Sequence, residues 1–218
     1  LSFGHAIFYG TGAYFVVLAA NGKVPLLAPG TPFMLMLLIA ALLAIVIALA
    51  IGALSFRLSG VYFAMITLGF AQVAYVFVRG WDDVSENPPE GAAVATDIHP
   101  SGFDVGVPWV DALNLEIGRL TGDSVEFLFV ELGGTEVSYY MVGLVVLGCY
   151  LAMQRLIHSP FGTVLLAIRE NEERAEAVGY EPFQFKLAAF AVSGFFAAVA
   201  GGLSGGYGRS VAPDSSMY

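Results

Sequence analysis

From Pro32 to Leu54 the chain runs 23 residues without one charged side chain. About 20 apolar residues in a helix cross the hydrocarbon core of a bilayer, so this run alone points to a membrane. Comparable apolar runs occupy Phe3–Ala20, Val61–Val78, Ser138–Leu156 and Phe183–Tyr207. The whole chain agrees: of 218 residues 57% are hydrophobic and only 12% charged, with a mean hydropathy of +0.76. The expected fold is an all-α polytopic transmembrane bundle, one membrane domain over residues 1–218 with about five spanning helices. A membrane barrel would instead show short segments of alternating polarity. The single cysteine, Cys149, lies inside an apolar run and reads as a small packing residue rather than a reactive one.

The polar pieces between these runs are unequal. Asn21–Thr31 and Ser55–Gly60 are short links. Residues 79–137 form the largest non-membrane piece, and from Arg79 to Glu136 it holds twelve acidic side chains against two arginines, a net of −10 in a chain whose total is −9. The acids are scattered, without the D-x-D-x-D-G spacing of a metal loop, and His99 has no partner in sequence, so neither a metal nor a catalytic site is expected there. A short amphipathic helix is expected over Val110–Leu120. The negative charge also argues against nucleic acid as a partner. Scarce lysine beside excess acid fits a prokaryote living at high salt. Lys and Arg in short loops fix orientation. Arg57, Arg155, Arg169, Arg174 and Lys186 fall on one side, Lys23 and Arg79 on the other, which makes the first side cytoplasmic. The chain opens without Met and inside a motif, and reads as a fragment.

The polar stretch between the last two apolar runs, His158–Lys186, has the grammar of ordered structure. Ser159 can cap a helix whose first residue is Pro160, where no backbone N–H is needed. Phe161, Val164, Leu165 and Ile168 then recur on one helical face. Asn171 can cap a second helix, with Glu172 and Glu173 in its first turn, where acids are favoured. Gly179 is a stop, Pro182 a new start. Two short helices on a membrane surface are expected, with entry into the bilayer near Phe183. Arg169 with Glu173, and Glu170 with Arg174, stand at i,i+4 spacing and are expected to brace them. The final GRSVAPDSSMY reads as a loop.

Inside the membrane the informative residues are small or polar. Gly60, Ala64, Thr67, Ala71 and Ala74 make a small-residue stripe on the third helix. Ser193, Ala197, Gly201 and Gly205 make a second, beside a row of Gly194, Ala198, Gly202 and Gly206. Small residues at these steps let helices approach closely. On a neighbouring face of the third helix stand Tyr62, Met65, Gly69 and Gln72, and Tyr62, Thr67 and Gln72 are the candidates for lining a solute path; for Gln72 an interhelical hydrogen bond is the competing reading. His5 reads either as a pathway group or, preferred, as an interfacial residue at a helix end.

Four stretches in this order, LSFGHAIFYGTGAY, RLSGVYFAMITLGFAQV, SPFGTVLLAIRENEERAEAVGY and KLAAFAVSGFFAAVAGGLSG, resemble the LivM-type permeases of branched-chain amino-acid ABC importers. The resemblance covers nearly the whole chain apart from the acidic segment. It implies a coupling helix at Asn171–Gly179 that enters a cleft of a cytoplasmic ATPase, with Ala175, Ala177 and Gly179 keeping one side small and Arg169, Glu170, Asn171, Glu172, Glu173, Arg174 and Glu176 shaping the rest. It implies a second permease subunit, two cytoplasmic ATPase subunits and an extracytoplasmic solute-binding protein as partners, and a plasma (inner) membrane location. ATP and Mg would sit on the partner ATPase; the chain has no G-x-x-x-x-G-K-[ST] loop and is expected to bind no cofactor and to be no enzyme. The implied cargo is a branched-chain amino acid, with urea, short amides or other amino acids as alternatives. The family's T-G-G-x-x-G type loop is replaced here by VSENPPEG, Val84–Gly91, which leaves the cargo open. An intramembrane enzyme built on His5 or His158 is disfavoured, because such an enzyme needs paired ionisable groups deep in its helices. A passive channel would need no braced cytoplasmic helix.

Overall fold

The computed structural model describes residues 4–24, 33–58, 60–81, 90–93, 125–127, 130–132, 134–208 and 210–216. Helices dominate: α1 (His5–Ala20), α2 (Phe33–Ser55), α3 (Val61–Arg79), α4 (Gly134–Ile157), α5 (Pro160–Glu170), α6 (Glu172–Ala177), α7 (Pro182–Gly208) and a single turn, α8 (Pro213–Ser216). Four short strands accompany them, β1 (Ala92–Ala93), β2 (Val125–Phe127), β3 (Val130–Leu132) and β4 (Ser210–Val211). β2 and β3 form a hairpin within the acidic segment, while β1 pairs antiparallel with β4, Ala92 opposite Val211.

The chain is a multi-pass membrane protein. α2, α3 and α7 are each long and apolar enough to cross a bilayer, whereas α4 passes that test only together with α5, bent by 62° at the break between them. α1 has 16 residues, about 24 Å of rise. Against the expected five or so, three helices qualify as spans on their own and a fourth if the bent α4–α5 pair counts as one, while α1 is a shorter apolar helix.

Core contacts give the helix directions. Along α1 and α7, Phe8 lies against Gly194, Gly12 against Ala198 and Ala13 against Gly205, so the two run parallel. α2 opposes them, with Ala48 at Gly194, Leu37 at Gly202 and Phe33 at Gly206. α3 follows α1, from Thr67 beside Gly4 to Val78 in the cluster with Tyr14 and Val17. α4 is attached more loosely: Val142, Val145 and Cys149 pack against the α2–α7 core, while Leu144, Leu147 and Leu151 are exposed. Exposed leucines on such helices face the hydrocarbon that is their solvent.

Two sequence expectations change here. His5 is held inside the bundle by a partner on α7. Its Nε2 is 2.6 Å from Ser193 Oγ, eleven residues or about 16 Å along α7 from Pro182, and its ring meets Phe8 and Phe190 edge-on. The chain's last residues are not a plain loop either: they supply β4 and α8. Asn21 donates to the Ala93 carbonyl at 2.9 Å, and Tyr75 donates to Asp214 at 2.6 Å with Arg79 3.9 Å from the same carboxylate. These bonds gather Asn21, the end of α3, β1, β4 and α8 at one end of the bundle. The link after α2 lies at the other, where Phe56 stacks on Phe63 at 4.9 Å and Phe190 meets both rings edge-on. The expected helix at Val110–Leu120, and His99, lie outside the described residues.

Candidate functional site

At the Phe56 end, α4 leaves the bundle through a bent elbow. Ser159 is extended (φ −82°, ψ 165°); its hydroxyl donates to the Leu156 carbonyl at 2.6 Å and accepts from Gly162 N–H at 3.4 Å. Pro160 occupies the first position of α5 and loses nothing there. The Gly162 Cα sits against the Ile157 carbonyl, where a side chain would collide, so the elbow is drawn tight by glycine. Phe161, Val164, Leu165 and Ile168 make the inward face of α5, and Phe161 stacks on Phe185 of α7 at 5.7 Å.

Asn171 ends α5 and starts α6. Its backbone is extended, and its side-chain oxygen accepts from the Arg174 N–H at 2.9 Å. That break decides the charge pattern. Arg169 and Glu170 precede it, Glu173 and Arg174 follow it, and the i,i+4 relation of a continuous helix is lost. Neither expected brace, Arg169–Glu173 or Glu170–Arg174, forms an ion pair. α6 is held instead by Glu172, which accepts from Lys186 of α7 at 2.6 Å. A partner fourteen residues away is invisible to helical spacing, so this pair was missed.

α6 presents an acidic surface with an apolar tip. Ala175 is buried, turned inward to the bundle, while Glu172, Glu173, Arg174, Glu176 and Ala177 face outward. The small side is therefore not uniformly outward: Ala175 packs inside and only Ala177 and Gly179 remain at the surface. Val178 is 73% exposed, an apolar side chain the sequence reading passed over. Gly179 follows at φ +100°, a left-handed conformation that glycine adopts without strain, and Tyr180 closes back with its N–H on the Ala175 carbonyl at 3.2 Å.

The candidate path residues separate. Tyr62 is 70% exposed and Gln72 is also exposed, both on the open face of α3 with Met65 and Gly69. Thr67 is 1% exposed; its hydroxyl donates to the Ala64 carbonyl at 3.0 Å and it meets Gly4 of the α1 start. It belongs with Ala71 to the packing side, apart from the other two. Gly60 is not part of that stripe: at φ +65°, with open space around it, it begins α3. On α7, Gly194, Ala198, Gly201 and Gly202 are all buried against α1 and α2. Between α1, α2 and α3 lies an apolar cavity of about 330 Å³ bounded by Ile7, Phe15, Leu43, Ile47, Phe77 and Trp81 among others.

Crossing helices that expose apolar side chains, with an ordered elbow at one end, define a multi-pass membrane protein. The sequence makes this specific. Residues 1–218 match the family described as branched-chain amino acid transport system / permease component, and the chain belongs to that family. It is 28% identical over 227 residues to the high-affinity branched-chain amino acid transport system permease protein LivM of Escherichia coli K12, which covers all of this chain and 49% of that protein. The corresponding LivM of Salmonella typhimurium is 27% identical with the same coverage. A probable branched-chain amino acid transport permease protein LivM of Methanocaldococcus jannaschii is 32% identical over 84 residues, 38% of this chain and 24% of that protein. The chain spans about half the length of the first two relatives. No solved structure matches it.

Proposed function

We propose that this chain is the membrane-spanning permease part of an ABC importer in the plasma (inner) membrane, moving a branched-chain amino acid inward with ATP hydrolysed on a partner subunit. The supporting partners are a second permease, two cytoplasmic ATPase subunits and an extracytoplasmic binding protein. ATP and Mg belong to the ATPase subunits. The observation that carries the reading is α6: a short helix capped by Asn171, tied to α7 through Glu172–Lys186 and ending in the exposed Val178. A capped and tethered helix transmits a push, whereas a loose loop absorbs it. Its acidic surface and apolar tip suit insertion into a cleft of the ATPase. Family membership and the LivM relatives support the cargo class, and a short amide or urea is the competing cargo.

Tyr62 and Gln72 are the path residues this reading retains; Thr67 is dropped because it is buried and already bonded. The test is uptake of labelled L-valine by the full-length permease in proteoliposomes with its partner subunits. Scrambling Glu172–Val178 is expected to leave the permease folded and to abolish both uptake and solute-stimulated ATP hydrolysis. Uptake that survives the scramble would sink the coupling role. Gln72→Ala should change uptake rate or selectivity; an unchanged profile removes Gln72 from the path.

A further inference from the structure

The apolar cavity between α1, α2 and α3 has dimensions that point to what fills it. Its wall runs along α1 from Ile7 to Leu18, eleven residues or about 16 Å. Ile47 of α2 and Ala74 of α3 line the same space, and Val24 and Trp81 line it at the end of the bundle away from α5 and α6. Ile7 is two residues beyond His5, whose partner Ser193 stands near the middle of α7. The cavity therefore starts near the midplane of the bilayer and reaches the surface opposite α5 and α6. Half of a hydrocarbon core about 30 Å thick is about 15 Å, the depth of one leaflet.

Section and chemistry narrow the occupant further. A volume of about 330 Å³ over about 16 Å leaves a mean section of about 20 Å². A helix about 10–12 Å across needs about 80 Å² or more. Carbon atoms touch at about 4 Å, so one polymethylene chain needs on the order of 15–20 Å². The lining is apolar apart from two hydroxyl residues. Thr11 donates its hydroxyl to the Ile7 carbonyl at 2.7 Å, and the Tyr14 hydroxyl is inaccessible. A zwitterionic solute would find no partner for either charge. The space is open sideways, where Leu43, Phe77 and Trp81 are exposed. What lies beside such side chains in a membrane is hydrocarbon. Trp81, just past the end of α3, stands at the level where a headgroup would sit, and tryptophan is favoured there.

We propose that this cavity is a site for one phospholipid acyl chain, taken from the leaflet opposite α5 and α6. The acyl chain packs between α3 and the α1–α2 core. α3 itself buries Thr67, Ala71 and Val78, so the lipid supplies contacts that its protein neighbours leave unmade. The site requires only that the protein spans a membrane, and it stands whatever the cargo and the partner subunits.

The experiment reconstitutes the full-length permease in vesicles of phosphatidylethanolamine and phosphatidylglycerol doped with a phosphatidylcholine that carries a diazirine on one acyl chain. Two probes are compared, with the diazirine near the glycerol or near the terminal methyl, and adducts are mapped by mass spectrometry. The first is expected to label Leu18 and Trp81, the second Ile7 and Ile47. When the vesicles are dissolved and washed in detergent before illumination, adducts in the cavity should persist while those on the exposed Leu147 and Leu151 of α4 disappear. Ala74→Phe fills the section and should lower the cavity adducts by about tenfold or more, as overpacking of an occupied site does, with the α4 adducts before washing unchanged. Cavity adducts lost on washing together with those of α4, the same labelling from both probes, or adducts unmoved by Ala74→Phe overturns the proposal. Should that variant fail to fold, the depth order and the wash resistance of the unsubstituted protein decide.

Discussion

A methyl group added at Gly201 should be among the most damaging single changes in the bundle. A Cβ built there lands on the carbonyl oxygen of Tyr9, with the Tyr9 carbonyl carbon at 2.7 Å and its Cα at 3.0 Å. Ordinary carbon contacts lie near 3.5–4.0 Å. The obstacle is helix backbone, which cannot rotate out of the way as a side chain does. α1 and α7 must therefore move apart by about 1 Å, and a gap of that size forfeits a quarter to a half of each contact's attraction. The same movement strains the neighbouring approaches of Gly12 to Ala198 and Gly205 to Ala13. Overpacking of this kind costs about 1–3 kcal/mol, and with no yielding side chain the upper end applies. For a chain of this length about 3 kcal/mol corresponds to a fall of roughly 6–12 °C in Tm. The assay is thermal unfolding of full-length Gly201→Ala in detergent, with Gly148→Ala as control. Gly148 has open space around it, so alanine there should hold or raise Tm through its better helix propensity. Equal melting of the two variants would refute the claim that backbone contact, and not mere apolarity, joins α1 to α7.

Three further outcomes follow from the local geometry. Asn171→Ala removes the acceptor for the Arg174 N–H, worth about 1 kcal/mol of capping, so hydrogen exchange at the Arg174 amide should quicken roughly fivefold, while Asn171→Asp should keep most of the protection. Reversing either charge of the exposed Glu172–Lys186 pair should reduce valine uptake with little change in Tm, since such pairs contribute about 0.2–1 kcal/mol, and the double swap E172K/K186E should restore uptake; no rescue would remove the pair from coupling. Asp214→Ala breaks the contact of α8 with Tyr75 and Arg79, so hydrogen exchange over residues 210–216 should accelerate while α6 stays unchanged.

What the sequence made legible was local. Ser159, Pro160, Asn171, Gly179 and Pro182 mark the boundaries of α5, α6 and α7 because capping and backbone preference act within a few residues. The small-residue rows on α7 were visible because helical spacing puts them on one face. What escaped depends on where the chain returns in space. The partner of Glu172 is fourteen residues on, Asp214 meets Tyr75 across 139, and His5 finds Ser193 across 188. None of these has a periodic signature. The position of His5 at the start of an apolar run says nothing of its partner, which is set by the neighbouring helix: α1 begins level with the middle of α7. The braces proposed at i,i+4 failed for a related reason: spacing counts only if the helix is continuous, and Asn171 interrupts it.

The same long-range contacts determine what a push on α6 would reach. α6 is anchored by Glu172 to Lys186 in the first turns of α7, and Phe161 of α5 stacks on Phe185 beside it. α7 in turn meets α1 backbone to backbone at Gly12, Gly201 and Gly205, and its Ser193 is bonded to His5. Contacts of that kind leave no side chain to flex, so a displacement entering at α6 is handed to α7 and α1 as one body. α3 and α4 offer the contrast. Thr67, Ala71 and Val78 are the buried residues of α3, and α4 touches the core along a single narrow face. Relative motion costs least where few atoms interlock, so α3 and, still more, α4 are the helices least bound to the α1–α2–α7 core.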